Sequence, residues 1–74
     1  MRDENRIPVF CERLAKAWSN LPDWRFGQLM VNLFEDMARD GKDAFYPEDD
    51  KMIALIENYA RKMGAYYGTL KEDE

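Results

Sequence analysis

Histidine is absent from the chain, cysteine occurs once, and proline and glycine number three and four. Without an imidazole, Cys11 has no partner for nucleophilic catalysis, and the usual nitrogen ligand of transition-metal sites is missing. A single cysteine closes no internal disulfide, which with the polar start Met1-Arg2-Asp3-Glu4-Asn5-Arg6 points to a reducing, cytoplasmic setting rather than a secreted one. Long apolar runs are missing as well. Leu29-Met30-Val31 is cut off by Asn32, far short of the roughly 18–20 residues that span a bilayer, so no membrane association is expected. No G-x-S-x-G, glycine-rich phosphate loop or zinc spacing occurs, and the expectation is a protein that is not an enzyme and carries no cofactor and no metal.

What the chain does contain is enough to fold. Hydrophobic residues make up 46% of its 74 positions and aromatics 14%, against 35% charged, a balance outside the range of intrinsic disorder. A chain this short forms one domain, here residues 1–74, and buries only about 60–65% of the surface its unfolded form exposes. Small domains lean on disulfides, metals or a partner subunit, and a homodimer is the reinforcement the composition leaves open.

The net charge is −4 and is unevenly placed. Residues 1–25 and 51–74 are nearly balanced, whereas Glu35, Asp36, Asp40, Asp43, Glu48, Asp49 and Asp50 face only Arg39 and Lys42 in the middle of the chain. A negative potential there disfavours direct nucleic-acid binding. The same carboxylates do not match the spacing of a calcium loop. They read either as helix-end and loop solvation or as an acidic docking surface, including a mimic of nucleic acid, for a basic partner.

Hydrophobic periodicity predicts an all-α, three-helix domain with a short C-terminal tail, the helices covering approximately 7–20, 24–39 and 48–63. In the first, Phe10, Leu14, Ala17, Trp18 and Leu21 recur at spacings of three and four, Pro8 suits the first turn, and Pro22 stops the helix. In the second, Asp23 is the expected N-cap and Gly41 the C-cap. Its apolar face, Leu29, Met30, Leu33, Phe34 and Met37, is broad enough to make it the centre of the core. The third carries Met52, Ile53, Ile56, Tyr59, Ala60 and Met63 and is expected to end at Gly64, leaving 65–74 as a partly disordered tail in which Tyr66, Tyr67 and Leu70 fold back.

Cys11, one turn from Leu14 and two from Trp18, reads as a buried thiol. Gly27 reads as a point of close approach, ordinarily by another helix, or as part of an anion site with Arg25 and free backbone N–H groups. Phe45 reads as a plug closing the bundle and Tyr46 as a surface residue. Trp24 admits two readings, packing against the first helix or tail and membership of a binding surface. The candidate binding surface is Trp24, Arg25, Tyr46, Glu48 and Asp49. Connectivity alone would set the starts of the second and third helices at opposite ends, about 20 Å apart. An extended Gly41–Tyr46 connection could instead bring them together, with Arg25 against Glu48 or Asp49 and Trp24 beside Phe45 or Tyr46.

Trp18, the segment Pro22-Asp23-Trp24-Arg25-Phe26-Gly27-Gln28-Leu29 and the segment Asp43-Ala44-Phe45-Tyr46-Pro47-Glu48-Asp49-Asp50 resemble short proteins of Firmicutes genomes and their prophages, over about residues 6–56. Trp18 with Pro22-Asp23 also resembles, more loosely, a helical bacterial domain of unknown function. The resemblance carries no activity. It implies a phage or mobile-element accessory protein, such as an inhibitor of a host defence enzyme acting by stoichiometric binding. Three functions follow as expectations: a protein-binding module, a small-ligand or nucleotide binder that uses Trp24 and Tyr46 as stacking faces, and a structural subunit of an oligomer.

Overall fold

In a computed structural model, which describes residues 2–67, the chain forms three α-helices: α1 (Arg6–Trp18), α2 (Phe26–Arg39) and α3 (Asp49–Tyr66). No strand occurs among the described residues. The domain is all-α, as the apolar periods predicted.

The helix ends show why these segments stop where they do. Before α1, Asp3 accepts a hydrogen bond from the Asn5 N–H through its side chain and from the Arg6 N–H through its carbonyl. After Trp18 the turn tightens, with the Asn20 and Leu21 N–H groups donating to the Ala17 and Trp18 carbonyls. The Trp24 N–H is then taken by the Leu21 carbonyl at 3.0 Å. That bond delays the second helix, so Asp23 is not its cap. Arg25, extended at φ −76° and ψ 155°, occupies the N-cap position instead, and its N–H donates to Gln28 Oε1 at 2.7 Å, half of a capping box.

Gly41 ends α2 as predicted, at φ +76°. Its N–H donates to the Ala38 carbonyl and that of Lys42 to the Met37 carbonyl, both at 2.9 Å, the paired bonds of a Schellman motif. Gly64, in contrast, does not end α3. It is buried within the helix, which continues to Tyr66. The extra turn places Tyr67 edge-on to Trp24 with ring centroids 5.9 Å apart, an apolar contact that a helix ending at Gly64 would lack. Leu70 and residues 71–74 of the expected tail lie outside the described residues.

The core contains Ala17 and Leu21 from α1 and its exit, Leu29, Leu33 and Met37 from α2, and Ile53, Ile56, Tyr59 and Ala60 from α3. Each fully buried leucine or isoleucine contributes about 1.5–3 kcal/mol by leaving water. Contrary to expectation, α2 is not the central element. It buries a single stripe at i, i+4 and i+8, while Phe34 on the adjacent face stays 41% exposed. The broader buried face belongs to α3, and α1 and α3 make the closest backbone approach. Three ion pairs fix their direction: Arg2 with Glu48, Arg6 with Asp49 and Arg13 with Glu57. Since both partners advance along the chain together, α1 and α3 run parallel.

Cys11 is exposed rather than buried. Its neighbours on that side of α1, Leu14 and Trp18, are themselves only half-buried, so the thiol falls beyond the edge of the core.

Candidate functional site

Trp24 and Arg25 sit at one end of the molecule. The Trp24 ring meets Tyr59 and Tyr67 edge-on, at 6.4 and 5.9 Å, and its carbonyl accepts the Trp18 indole N–H at 2.8 Å. Trp18 in turn leans on Phe26, 5.6 Å away. Of the two readings for Trp24 the structure shows packing: the ring holds the α1–α2 turn onto the last turns of α3. Arg25 remains exposed beside it.

Glu48 and Asp49 begin α3 at the other end. The 18 residues of α3 separate them from Tyr67 by about 27 Å at 1.5 Å per residue. The shared surface in which Arg25 meets Glu48 or Asp49 and Trp24 meets Phe45 or Tyr46 is therefore not formed. The carboxylates are occupied by Arg2, through Nη1 and Nη2 of its guanidinium, and by the Nε of Arg6. Parallel packing of α1 on α3 brings the start of one helix to the start of the other. These arginines satisfy acids that the sequence left to solvent or to Arg25.

Hydrogen bonding and the positive charge of Arg2 hold the Glu48 carboxyl below its ordinary range. Glu57, gripped by Arg13 Nε and Nη2 at 2.7 and 2.6 Å, is likewise lowered, chiefly by those hydrogen bonds. A carboxyl depressed in the folded state contributes stability above its unfolded value, about 4.3 for glutamate, and loses it as pH falls through the folded value. Thermal stability should therefore decline on acidification below about pH 4.3, and Glu57→Gln should flatten that decline. Melting curves between about pH 2 and 7 check this, and a wild-type slope unchanged by Glu57→Gln would refute it.

Tyr46 is 76% exposed and stands out from the α2–α3 connection. Beside it Phe45, expected to plug the bundle, is 83% exposed. The two rings pack edge to face at 5.1 Å. Asp43 shapes the connection by accepting the Phe45 N–H on Oδ1 at 2.9 Å, an Asx-turn that directs the backbone outward. Phe45 was not recognisable as a surface residue, because an aromatic side chain by itself predicts burial. The available signal was Asp43 two residues earlier. Asp43, itself exposed, leaves an acidic group beside this projection.

A second feature lies between α1 and α3, a groove of about 350 Å³ lined by Val9, Phe10 and Ile53 together with Arg6, Arg13, Asp49 and Asp50. Both arginines are engaged by carboxylates, so the groove presents paired charges beside apolar side chains. Among the described residues no group of three or more His, Cys, Asp or Glu could hold a metal ion, and no helix is long and apolar enough to cross a membrane. No known family, curated protein or solved structure matches the chain.

Proposed function

We propose that this protein is a binding module that engages a protein partner through the Phe45–Tyr46 projection, and that it acts by occupying the partner rather than by catalysis. The observation that carries this reading is a pair of large aromatic side chains, 83% and 76% exposed, packed edge to face on each other and held away from the core. Among the described residues both rings remain open to water apart from their contact with each other. Buried against a partner they would form a rigid anchor of the kind that dominates interface energies, with few rotatable bonds to immobilise. The neighbouring acid Asp43 favours a partner whose pocket has a basic rim.

The resemblance of these segments to prophage proteins adds a narrower form of the proposal, a stoichiometric inhibitor of a host enzyme. The nucleotide-binding reading loses its basis, because Trp24 and Tyr46 lie at opposite ends of α3. A small-ligand reading has support only in the α1–α3 groove, whose volume reaches the lower end of ligand pockets.

The test compares wild type with Phe45→Ala/Tyr46→Ala. Neither side chain contributes to the core, so the melting temperature should stay within about 3 °C, corresponding to less than about 0.5 kcal/mol. Affinity for proteins retained from a host lysate should fall by roughly 30-fold or more. Retention unchanged by the double substitution would remove the projection from the binding surface.

A further inference from the structure

Two apolar features stand open on the domain. On α2, Val31 and Phe34 are 54% and 41% exposed beside Gly27, where an added Cβ would meet nothing within 4 Å. The close approach expected of that glycine is thus not made among the described residues, and a face of this kind accepts any apolar neighbour. The α1–α3 groove is different, because charge accompanies its apolar side chains. Val9 and Phe10 of α1 and Ile53 of α3 line about 350 Å³, enough for an aliphatic chain of about six carbons.

Three carboxylates line the same space, those of Asp3, Asp49 and Asp50. Two guanidinium groups share it, and both are already engaged. Arg6 donates to Asp49, and Arg13 is held by Glu57 through two hydrogen bonds. The pKa of Arg13 is raised chiefly by those hydrogen bonds and least by the charge of Asp50. Asp3 and Asp50 are left without an ion pair among the described residues. Their Oδ1 atoms accept backbone N–H groups, of Asn5 and Lys51 respectively. The starts of α1 and α3 meet at this end, and each brings about half a positive charge. Four carboxylates, counting Glu57, against two guanidinium groups and two helix starts leave about one negative charge without a counterpart.

We infer that the α1–α3 groove binds a small organic monocation, a primary alkylammonium whose chain lies along Val9, Phe10 and Ile53 and whose charged head meets Asp50. Asp50 stands three residues before Ile53, on the same side of α3. A neutral apolar ligand would cover the unpaired carboxylates without answering their charge, and an anion would add to it. A cationic head on a short aliphatic body satisfies both kinds of surface. Phe45 and Tyr46 are not among the residues lining the groove, so the inference stands apart from the protein-binding reading.

Hexylammonium chloride is the probe, titrated into the full 74-residue chain with backbone amide shifts as the readout. Binding should saturate with Kd on the order of 1 mM, moving the amides of Val9, Phe10, Asp50 and Ile53 and leaving those of Trp24 and Arg25 in place. Hexanol and hexanoate, of the same length, should each bind at least about 5-fold more weakly, as the loss of one charge interaction near the surface predicts. Asp50→Asn should weaken hexylammonium by about 5-fold and leave hexanol unchanged, with the melting temperature showing that the fold is kept. Val9→Trp, a large ring introduced at a position 54% exposed, should abolish the binding of both. Phe45→Ala/Tyr46→Ala should bind hexylammonium as wild type does, so that failure of the projection and failure of the groove are read separately. Equal affinity for hexanol and hexylammonium, indifference to Asp50→Asn, or shifts that never saturate would overturn the inference. A capped lysine that binds more tightly than hexylammonium would overturn its small-molecule form.

Discussion

Leu33→Ala should cost about 2–5 kcal/mol. Leu33 is 1% exposed at the middle of the stripe that α2 buries, between Leu29 at 0% and Met37 at 3%. Truncation removes the transfer free energy of the lost carbons and leaves a cavity whose walls are fixed by Leu29 and Met37, one turn away on either side on the same helix. The relaxation that softens such losses is therefore limited. For a domain of this length each kcal/mol shifts Tm by roughly 4–8 °C, so a fall of at least about 8 °C is expected, and loss of the cooperative transition at the upper end. Thermal denaturation followed by circular dichroism measures it. A shift under about 4 °C, less than 1 kcal/mol, would mean that the stripe does not face a packed interior.

Trp18→Ala should have a comparable effect for a different reason. The indole joins three elements: it belongs to the last turn of α1, donates to the Trp24 carbonyl at 2.8 Å and packs on Phe26 at the start of α2. Its removal deprives that carbonyl of a partner and releases the turn that holds Trp24 against Tyr59 and Tyr67. A loss near 3 kcal/mol, the lower end for tryptophan because the ring is half-exposed, is expected. Trp18→Phe keeps most of the apolar contact and loses the hydrogen bond, at about 1 kcal/mol. Equal losses for the two substitutions, measured by urea denaturation, would show that the ring's packing on Phe26 contributes nothing.

Much of this architecture was legible in the chain because it depends on neighbours three or four residues apart. The spacing of Phe10, Leu14, Ala17 and Leu21, the stripe of α2 and the Ile53–Ala60 face all follow the 3.6-residue period. Gly41 was recognisable as a terminator because a left-handed residue is required where a Schellman motif closes. The start of α2 was not, since Asp23 is a good cap by residue type but the turn before it consumes the Trp24 N–H, and Gln28 serves Arg25 two residues later. The candidate surface failed for a related reason. Arg2 and Arg6 reach Glu48 and Asp49 across 46 and 43 residues, and no local pattern distinguishes those partners from Arg25. Phe34 and Val31 were ambiguous because an apolar face wide enough to touch two helices is equally wide enough to leave one half uncovered.

The parallel course of α1 and α3 also bears on how the chain can be attached to other molecules. Arg2 is tied to the start of α3, whereas Tyr67 follows its last residue, so the two ends of the described chain stand about 27 Å apart. Folded domains commonly bring their termini close together. Here at least about eight extended residues must lie between Tyr67 and Arg2 for a circular permutation to run the length of the bundle. A fusion at the N-terminal end would crowd the Arg2–Glu48 pair, while one following Tyr67 would leave it undisturbed.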